Sequence, residues 1–66
     1  MNITINGESR HMDNVSTVAE LIVQLGYQGK RIAVERNGDI VPKSQHGNTP
    51  LAEGDELEIV VAVGGG

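Results

Sequence analysis

Several residue types are missing or scarce, and each absence excludes a class of function. The sequence has no cysteine, which excludes disulfides, thiolate catalysis, a side-chain persulfide and a cysteine zinc site. With one tyrosine and no phenylalanine or tryptophan, it offers no platform for stacking bases. Five basic and nine acidic residues give a net charge of -4. We therefore expect no nucleic-acid partner, because counterion release requires a basic face. A protein with a basic rim is the more natural partner.

Long hydrophobic runs are also absent. No stretch approaches the roughly 20 apolar residues of a membrane helix, and no signal peptide is visible, so we expect no membrane contact and a cytoplasmic location. A chain of 66 residues forms a single domain, 1–66, and a domain of this size buries only about 60% of its unfolded surface. It has no room for a deep catalytic cleft, which lowers the expectation of an enzyme.

The first segment predicts a β-hairpin. Residues 2–6 alternate polar and apolar side chains, the period of a half-buried strand. Asn6-Gly7 is the dipeptide best suited to the positive φ angles of a type I′ turn. Residues 9–13 then return, with Met12 as the inward side chain.

A second hairpin follows later in the chain. Residues 32–36 form its first strand, with Ile32 and Val34 inward, and Asn37-Gly38 supplies another type I′ turn. Residues 39–41 return, with Ile40 as the apolar residue.

The last third of the chain contains a loop and a final strand. Pro42 ends the second hairpin because it has no amide donor, and residues 43–53 form a loop anchored by Leu51. A tight turn at Gly54 leads into residues 56–62. Three side chains of this strand alternate inward: Leu57, Ile59 and Val61.

One short helix lies between the hairpins. Thr17 and Glu20 have the spacing of a capping box. A stripe at i, i+3, i+4 and i+7 predicts one buried face, and its members are Val18, Leu21, Ile22 and Leu25. Gly26 suits the left-handed residue after the helix. A helix of about two turns needs a sheet to lie on.

The order of hairpin, helix, hairpin, loop and strand predicts an α+β fold. The final strand is rich in Ile, Leu and Val, so its natural place is the middle of the sheet, beside the first strand. The result is a β-grasp (ubiquitin-like) fold, a mixed sheet of about five strands with one main helix on one face.

Side-chain catalysis finds little support in the sequence. His11 and His46 are far apart, and we interpret both as solvated histidines rather than metal ligands or general bases. No pocket is expected that would shift the pKa of a carboxylate pair. We therefore predict no catalytic residues and no metal site.

The chain ends in three glycines, Gly64, Gly65 and Gly66. Terminal glycines are usually frayed, and a frayed, flexible tail 64–66 is one interpretation. The other is a probe: three extended residues reach roughly 10 Å, and without Cβ atoms they can thread a narrow channel. Such a probe delivers one reactive group, the α-carboxylate of Gly66, which a partner must first activate.

Alternation along the last strand also predicts a second sheet face, opposite the helix. It carries Glu56, Glu58, Val60 and Ala62, and neighbouring strands add Thr4, Ala33 and Glu35. The surface grades from acidic to small and apolar toward the tail. It is either an ordinary solvated face or a docking surface with an apolar centre and a charged rim.

Together these features resemble the ThiS family of thiamine-biosynthesis sulfur carriers over essentially the whole chain. The resemblance rests on the order of five segments: MNITINGE (1–8), TVAELI (17–22), IVP (40–42), LAEGDELEI (51–59) and AVGGG (62–66). It implies a carrier, not an enzyme, that binds no cofactor itself. An E1-like adenylyltransferase of the ThiF type would use ATP and magnesium to adenylylate Gly66, with Gly64 and Gly65 as the threaded tail.

The resemblance further implies two later partners. A sulfur donor such as a cysteine desulfurase converts the acyl adenylate to a thiocarboxylate, and a thiazole synthase of the ThiG type receives the sulfur. Three other functions stay open: a carrier resembling the small subunit of molybdopterin synthase, a ubiquitin-like tag, and a plain binding module with an inert tail.

Overall fold

This computed structural model describes residues 1–62 of the chain. This part contains five strands, one α-helix and one 3-10 helix. In chain order the elements are β1 (Asn2–Ile5), β2 (Glu8–His11), α1 (Val18–Gln24), β3 (Ile32–Arg36), β4 (Asp39–Val41), a 3-10 helix (Lys43–Asn48) and β5 (Glu56–Val61). None of the helices within residues 1–62 has the length and apolar character needed to cross a membrane.

Both predicted type I′ turns are confirmed by backbone geometry. The φ angles are 52° at Asn6 and 81° at Gly7, and 51° at Asn37 and 88° at Gly38. Positive φ at both central residues defines the type I′ turn, whose twist matches that of the flanking strands. The two hairpins therefore form from local sequence.

The capping box at the start of α1 is also confirmed. The Glu20 amide donates to the Thr17 hydroxyl at 3.2 Å, and the Thr17 amide donates to the Glu20 carboxylate at 3.1 Å. Ser16 adds two more bonds to this carboxylate, from its hydroxyl and its amide. These bonds hold the pKa of Glu20 below its usual value, led by the bond from the Ser16 side chain.

The sheet has the order β2-β1-β5-β3-β4, so β5 lies in the centre as predicted. It runs parallel to β1, where Thr4 pairs with Glu56, and antiparallel to β3, where Ala33 pairs with Val60. The mixed sheet with α1 on one face is the predicted β-grasp arrangement.

The core lies between α1 and one face of the sheet. Its central side chains are each at most 2% exposed, and they are Ile3, Val18, Leu21, Val34 and Leu57. The other buried apolar side chains are Ile5, Met12, Val15, Ile22, Val41, Leu51 and Ile59. Leu25, predicted on the buried stripe, is only half-buried and packs against the margin of the core.

Two further details differ from the sequence predictions. Ile40, predicted as the apolar residue of β4, is 76% exposed, and its neighbour Val41 is 7% exposed and occupies the core. The reason is register: Val41 pairs with the inward-facing Val34, and side chains alternate between faces. The predicted loop also begins with a 3-10 helix at Lys43–Asn48, although Leu51 is buried as expected.

The register of β4 predicts that truncating its two apolar residues has unequal effects on stability. Val41→Ala should lower the free energy of unfolding by about 2 kcal/mol, because it removes two buried methyl groups. Ile40→Ala should change it by less than about 0.5 kcal/mol, since that side chain is exposed. Urea unfolding of the two variants measures both values, and equal effects would contradict this register.

Candidate functional site

The face of the sheet opposite α1 is uncovered within residues 1–62, and we call it the open face. On β5 it presents Glu56, Glu58 and Val60, all exposed, with Val60 at 63%. Ala62, immediately after β5, is exposed as well. The residues that the sequence predicted for this face therefore lie on it. Their part in docking stays a prediction.

Strand pairing brings the predicted neighbours onto the same face. Glu35 on β3 lies directly opposite Glu58 on β5, and Thr4 on β1 lies beside Glu56. We call Glu35, Glu56 and Glu58 the acidic end of the open face. Like charges directly opposite each other destabilise a sheet, so a basic partner surface here would relieve a repulsion that the free chain carries.

The open face also has an apolar patch, formed by Ala33, Ile40 and Val60. Ala33 pairs with Val60, and Ile40 lies opposite Glu35. These side chains line a shallow hollow of about 300 Å³ that Pro42 also borders. Sequence analysis missed Ile40 as a member of this face. The signal was present, because the Asn37-Gly38 turn sets the pairing of the hairpin.

Asp55 organises the end of the sheet from which β5 starts. The residue is 6% exposed, and its carboxylate accepts hydrogen bonds from Arg36 Nε at 2.7 Å and from Asn37 Nδ2 at 3.0 Å. The Ala52 amide donates to the same carboxylate at 2.8 Å. This single group therefore joins the β3–β4 turn to the turn that precedes β5.

Two opposing effects act on the pKa of Asp55. Burial raises it. Hydrogen bonds from Asn37, Arg36 and Ala52, together with the charge of Arg36, lower it by more, so the pKa of this carboxyl lies below its usual value. The carboxylate is consequently held ionised in the folded protein.

A side-chain amide extends the pairing between β1 and β5. Asn6 Nδ2 donates to the Ile59 carbonyl at 3.0 Å, and the Ile59 amide donates to Asn6 Oδ1 at 2.8 Å. The Asn6 side-chain amide thus makes the two hydrogen bonds to Ile59 that a backbone residue would make if β1 continued. It holds β5 two residues beyond the last backbone pair, Ile5 with Leu57.

The other side of β5 is held up to the last described residue. The Ala62 amide donates to the Arg31 carbonyl at 2.9 Å, and we call Ala62 with Arg31 the tail root. Gly64, Gly65 and Gly66, the predicted threaded tail and modified residue, lie outside the described residues.

The two histidines have structural contacts. His11 lies between Asn2 and Asp13, with ring nitrogen distances of 2.8 Å and 2.9 Å to their side-chain oxygens. His46 Nε2 lies 3.2 Å from the Val41 carbonyl, which can only accept, so this nitrogen donates. Within residues 1–62, no group of three or more His, Asp or Glu side chains is placed to hold a metal ion.

These features define a small β-grasp protein with a braced central strand and one open sheet face. The model of the ThiS family matches residues 3–66. The chain belongs to the ThiS family.

Its relatives include both short and long proteins. The sulfur carrier protein ThiS of Bacillus subtilis is 31% identical over 65 residues, which cover 97% of this chain and 98% of that protein. A thiazole synthase of Paramagnetospirillum magneticum is 46% identical over all 66 residues, but the chain spans only 20% of its length. The crystal structure of a ThiS thiamine biosynthesis protein from Geobacter metallireducens superposes with a TM-score of 0.83 at 33% identity, covering both chains completely.

The lowered pKa of Asp55 predicts a loss of stability in acid. Because the pKa is lower in the folded than in the unfolded chain, the stabilisation is present above the unfolded value of about 3.9. It is lost as the pH falls through the folded value. Asp55→Asn should lower the free energy of unfolding at pH 7 by about 3 kcal/mol, since Arg36 loses its charged partner.

Urea unfolding of both proteins between about pH 7 and pH 2.5 measures this effect. The gap between wild type and Asp55→Asn should narrow below about pH 4. Asp39→Asn is the matched control, because Asp39 is exposed on β4. A gap that stays constant across this range would contradict the role of the Asp55 carboxylate.

Proposed function

We propose that this chain is a sulfur carrier protein of thiamine biosynthesis, and that it acts as a co-substrate rather than as an enzyme. Membership of the ThiS family is the observation that carries the proposal. The full-length match to the Bacillus subtilis sulfur carrier and the complete superposition on a thiamine biosynthesis protein support it.

The reactive group in this proposal is the carboxylate of Gly66. Carboxylates are inert until a leaving group is attached, so an E1-like enzyme of the ThiF type, with ATP and magnesium, forms the acyl adenylate and releases pyrophosphate. The persulfide of a sulfur donor such as a cysteine desulfurase then displaces AMP and leaves an acyl disulfide. A thiol reductant cleaves the S–S bond of this acyl disulfide, which releases the thiocarboxylate and forms a disulfide from the thiol and the donor. Activation and sulfur transfer are thus separate steps, which follows the logic of covalent intermediates.

The described residues support this role because they hold β5 in place on both sides. The Asn6 side chain braces β5 on one side, and the Arg31 carbonyl accepts from Ala62 on the other. The chain is therefore held by hydrogen bonds up to Ala62, two residues before the predicted tail 64–66. A fixed starting point makes it easier to place a side-chain-free segment in a narrow channel.

The open face supplies a surface for recognition by the activating enzyme. Its apolar patch, with Ile40 and Val60 more than half exposed, is the kind of centre that transient interfaces use, and the acidic end forms a charged rim. We infer that the enzyme presents basic residues opposite Glu35 and Glu58.

Thiazole synthase is the proposed acceptor of the sulfur. Thiazole synthases of Paramagnetospirillum magneticum and Magnetococcus marinus contain a segment matching this whole chain, at 46% and 36% identity. A carrier-like segment within the chain of its acceptor has a high effective concentration for delivery. This chain spans 20% of the length of each.

Loading of Gly66 is directly measurable by intact mass. Incubation with the cognate activating enzyme, ATP, a sulfur donor and a thiol reductant should raise the mass by about 16 Da, the exchange of oxygen for sulfur. Deletion of Gly65 and Gly66 should abolish the shift and leave urea unfolding unchanged.

The same experiment separates the alternatives. A binding module with an inert tail keeps its function after the deletion and never shows the mass change. Lysine conjugates on other proteins would indicate a ubiquitin-like tag. Transfer of sulfur to a pterin precursor instead of thiazole synthase would indicate the molybdopterin pathway.

Docking through the apolar patch predicts that a charge at the centre of the patch weakens binding of the activating enzyme. Val60→Glu should weaken binding of the activating enzyme by about tenfold or more, because a central apolar contact is lost and a carboxylate is desolvated. Val23→Glu is the matched control, since Val23 is 53% exposed on α1, on the other side of the sheet. Isothermal titration of each variant measures the affinity, and equal affinities would exclude this patch from the interface.

A further inference from the structure

A second surface feature lies on the helix side of the molecule. It is a cleft of about 380 Å³ between the end of α1, the segment leading into β3, and the 3-10 helix. Lys30, Arg31 and Lys43 line it, and His46 lies beside Lys43 in the same wall. Among residues 1–62, no Asp or Glu contributes to the lining. We call it the cationic cleft.

The basic residues of this acidic chain are not evenly distributed. Of the five Lys and Arg residues, Arg10 pairs with Glu8 at 3.6 Å and Arg36 pairs with Asp55 at 2.7 Å. The remaining three all line the cationic cleft, and among residues 1–62 none of them has a carboxylate within 4.0 Å. The charge of the cleft is therefore not neutralised by this part of the chain.

The floor of the cleft is apolar. Ile22, Val23, Tyr27 and Ile32 line it, and Val23 is 53% exposed. Tyr27 is the one aromatic residue in the sequence and is half-buried at this position. Tyrosine and arginine are among the types enriched in the residues that dominate protein interfaces. The cleft combines an apolar floor with a basic rim.

The position of the cleft links it to the tail root. Arg31 lines the cleft, and its carbonyl accepts the hydrogen bond from Ala62. Ile32, also in the lining, pairs with Val61 at the end of β5. A protein that surrounds the tail therefore meets the cleft next to the point where the tail begins.

We propose that the cationic cleft is a second docking surface, which binds an acidic and partly apolar segment of the sulfur acceptor, thiazole synthase. This inference rests on the proposed function. The acceptor then contacts the chain with acidic residues, whereas the acidic end of the open face selects a partner with basic residues. One small carrier can thus present a basic surface to one partner and an acidic surface to another.

The exposure of the charges favours a protein segment over a small anion. Lys30, Arg31 and Lys43 are all exposed, whereas a site for a free anion draws its strength from desolvated donors. Exposed rim charges act mainly on the rate of association and on its salt dependence. The cleft is suited to steering a complementary surface toward the tail root.

Charge reversal at two positions tests the proposal. Lys30→Glu and Lys43→Glu should each weaken binding to purified thiazole synthase by about fivefold at ~0.1 M salt, mainly through slower association. The difference from wild type should shrink toward ~0.5 M salt, because screening shortens the range of the charges. Stopped-flow fluorescence with a dye on the acceptor measures association and dissociation separately.

Matched controls separate the cleft from net charge. Arg10→Glu makes the same change of charge on β2, outside the cleft lining, and should alter the affinity by less than about twofold. Lys43→Arg keeps the charge and should bind as wild type. Equal binding by Lys30→Glu, Lys43→Glu and wild type would overturn the proposal.

Two other occupants are tested with the free chain. Saturable shifts of the Lys30 and Lys43 amide resonances with inorganic phosphate below about 1 mM would indicate a small-anion site, and would overturn the docking proposal. A dimer in sedimentation that Lys43→Glu disperses would do the same, because a second copy would then fill the cleft.

The mass measurement keeps this inference distinct from the proposed function. If Gly66 gains sulfur but the reversals leave acceptor binding unchanged, the carrier function stands and the docking proposal fails. If Gly66 is never loaded and the acceptor does not bind, the proposed function fails as well. Loading that proceeds normally in Lys30→Glu, together with weakened acceptor binding, supports both, because Lys30 lines the cleft and not the hollow of the open face.

Discussion

The central position of β5 is the constraint on which the rest of this structure depends. The strand is paired on both sides, parallel to β1 and antiparallel to β3, so its inner face must be apolar and its outer face is left to the open surface. A strand in this position fixes where the chain leaves the sheet. It also places the tail root and the cationic cleft at the C-terminal end of β5, with the open face along its outer side.

Asp55 and Asn6 show how polar groups maintain that position in so small a core. Asp55 is nearly buried, yet its carboxylate is satisfied by donors from two turns. Asn6 completes the pairing of Ile59 where β1 has already ended. A small domain buries little apolar surface, so such bonds contribute a large share of its specificity.

Charge is segregated on this molecule in a way that its net charge conceals. The acidic end of the open face gathers Glu35, Glu56 and Glu58, whereas the cationic cleft gathers the three basic residues that have no partner within residues 1–62. A carrier must bind successive partners and leave each of them. Two surfaces of opposite sign allow different partners to be selected by electrostatic complementarity rather than by very tight binding.

Much of the fold could be predicted from local sequence, because its signals act over a few residues. The two Asn-Gly turns, the Thr17–Glu20 capping box and the alternation of β5 each determined an element. The inward residue of β4 also followed from the turn, but the greater hydrophobicity of Ile40 concealed it. Only the tertiary structure decided the rest. Asp55 meets Arg36 across 19 residues and Asn6 meets Ile59 across 53, and the cationic cleft joins three elements. Such contacts depend on how elements pack, and packing brings together residues that no local pattern relates.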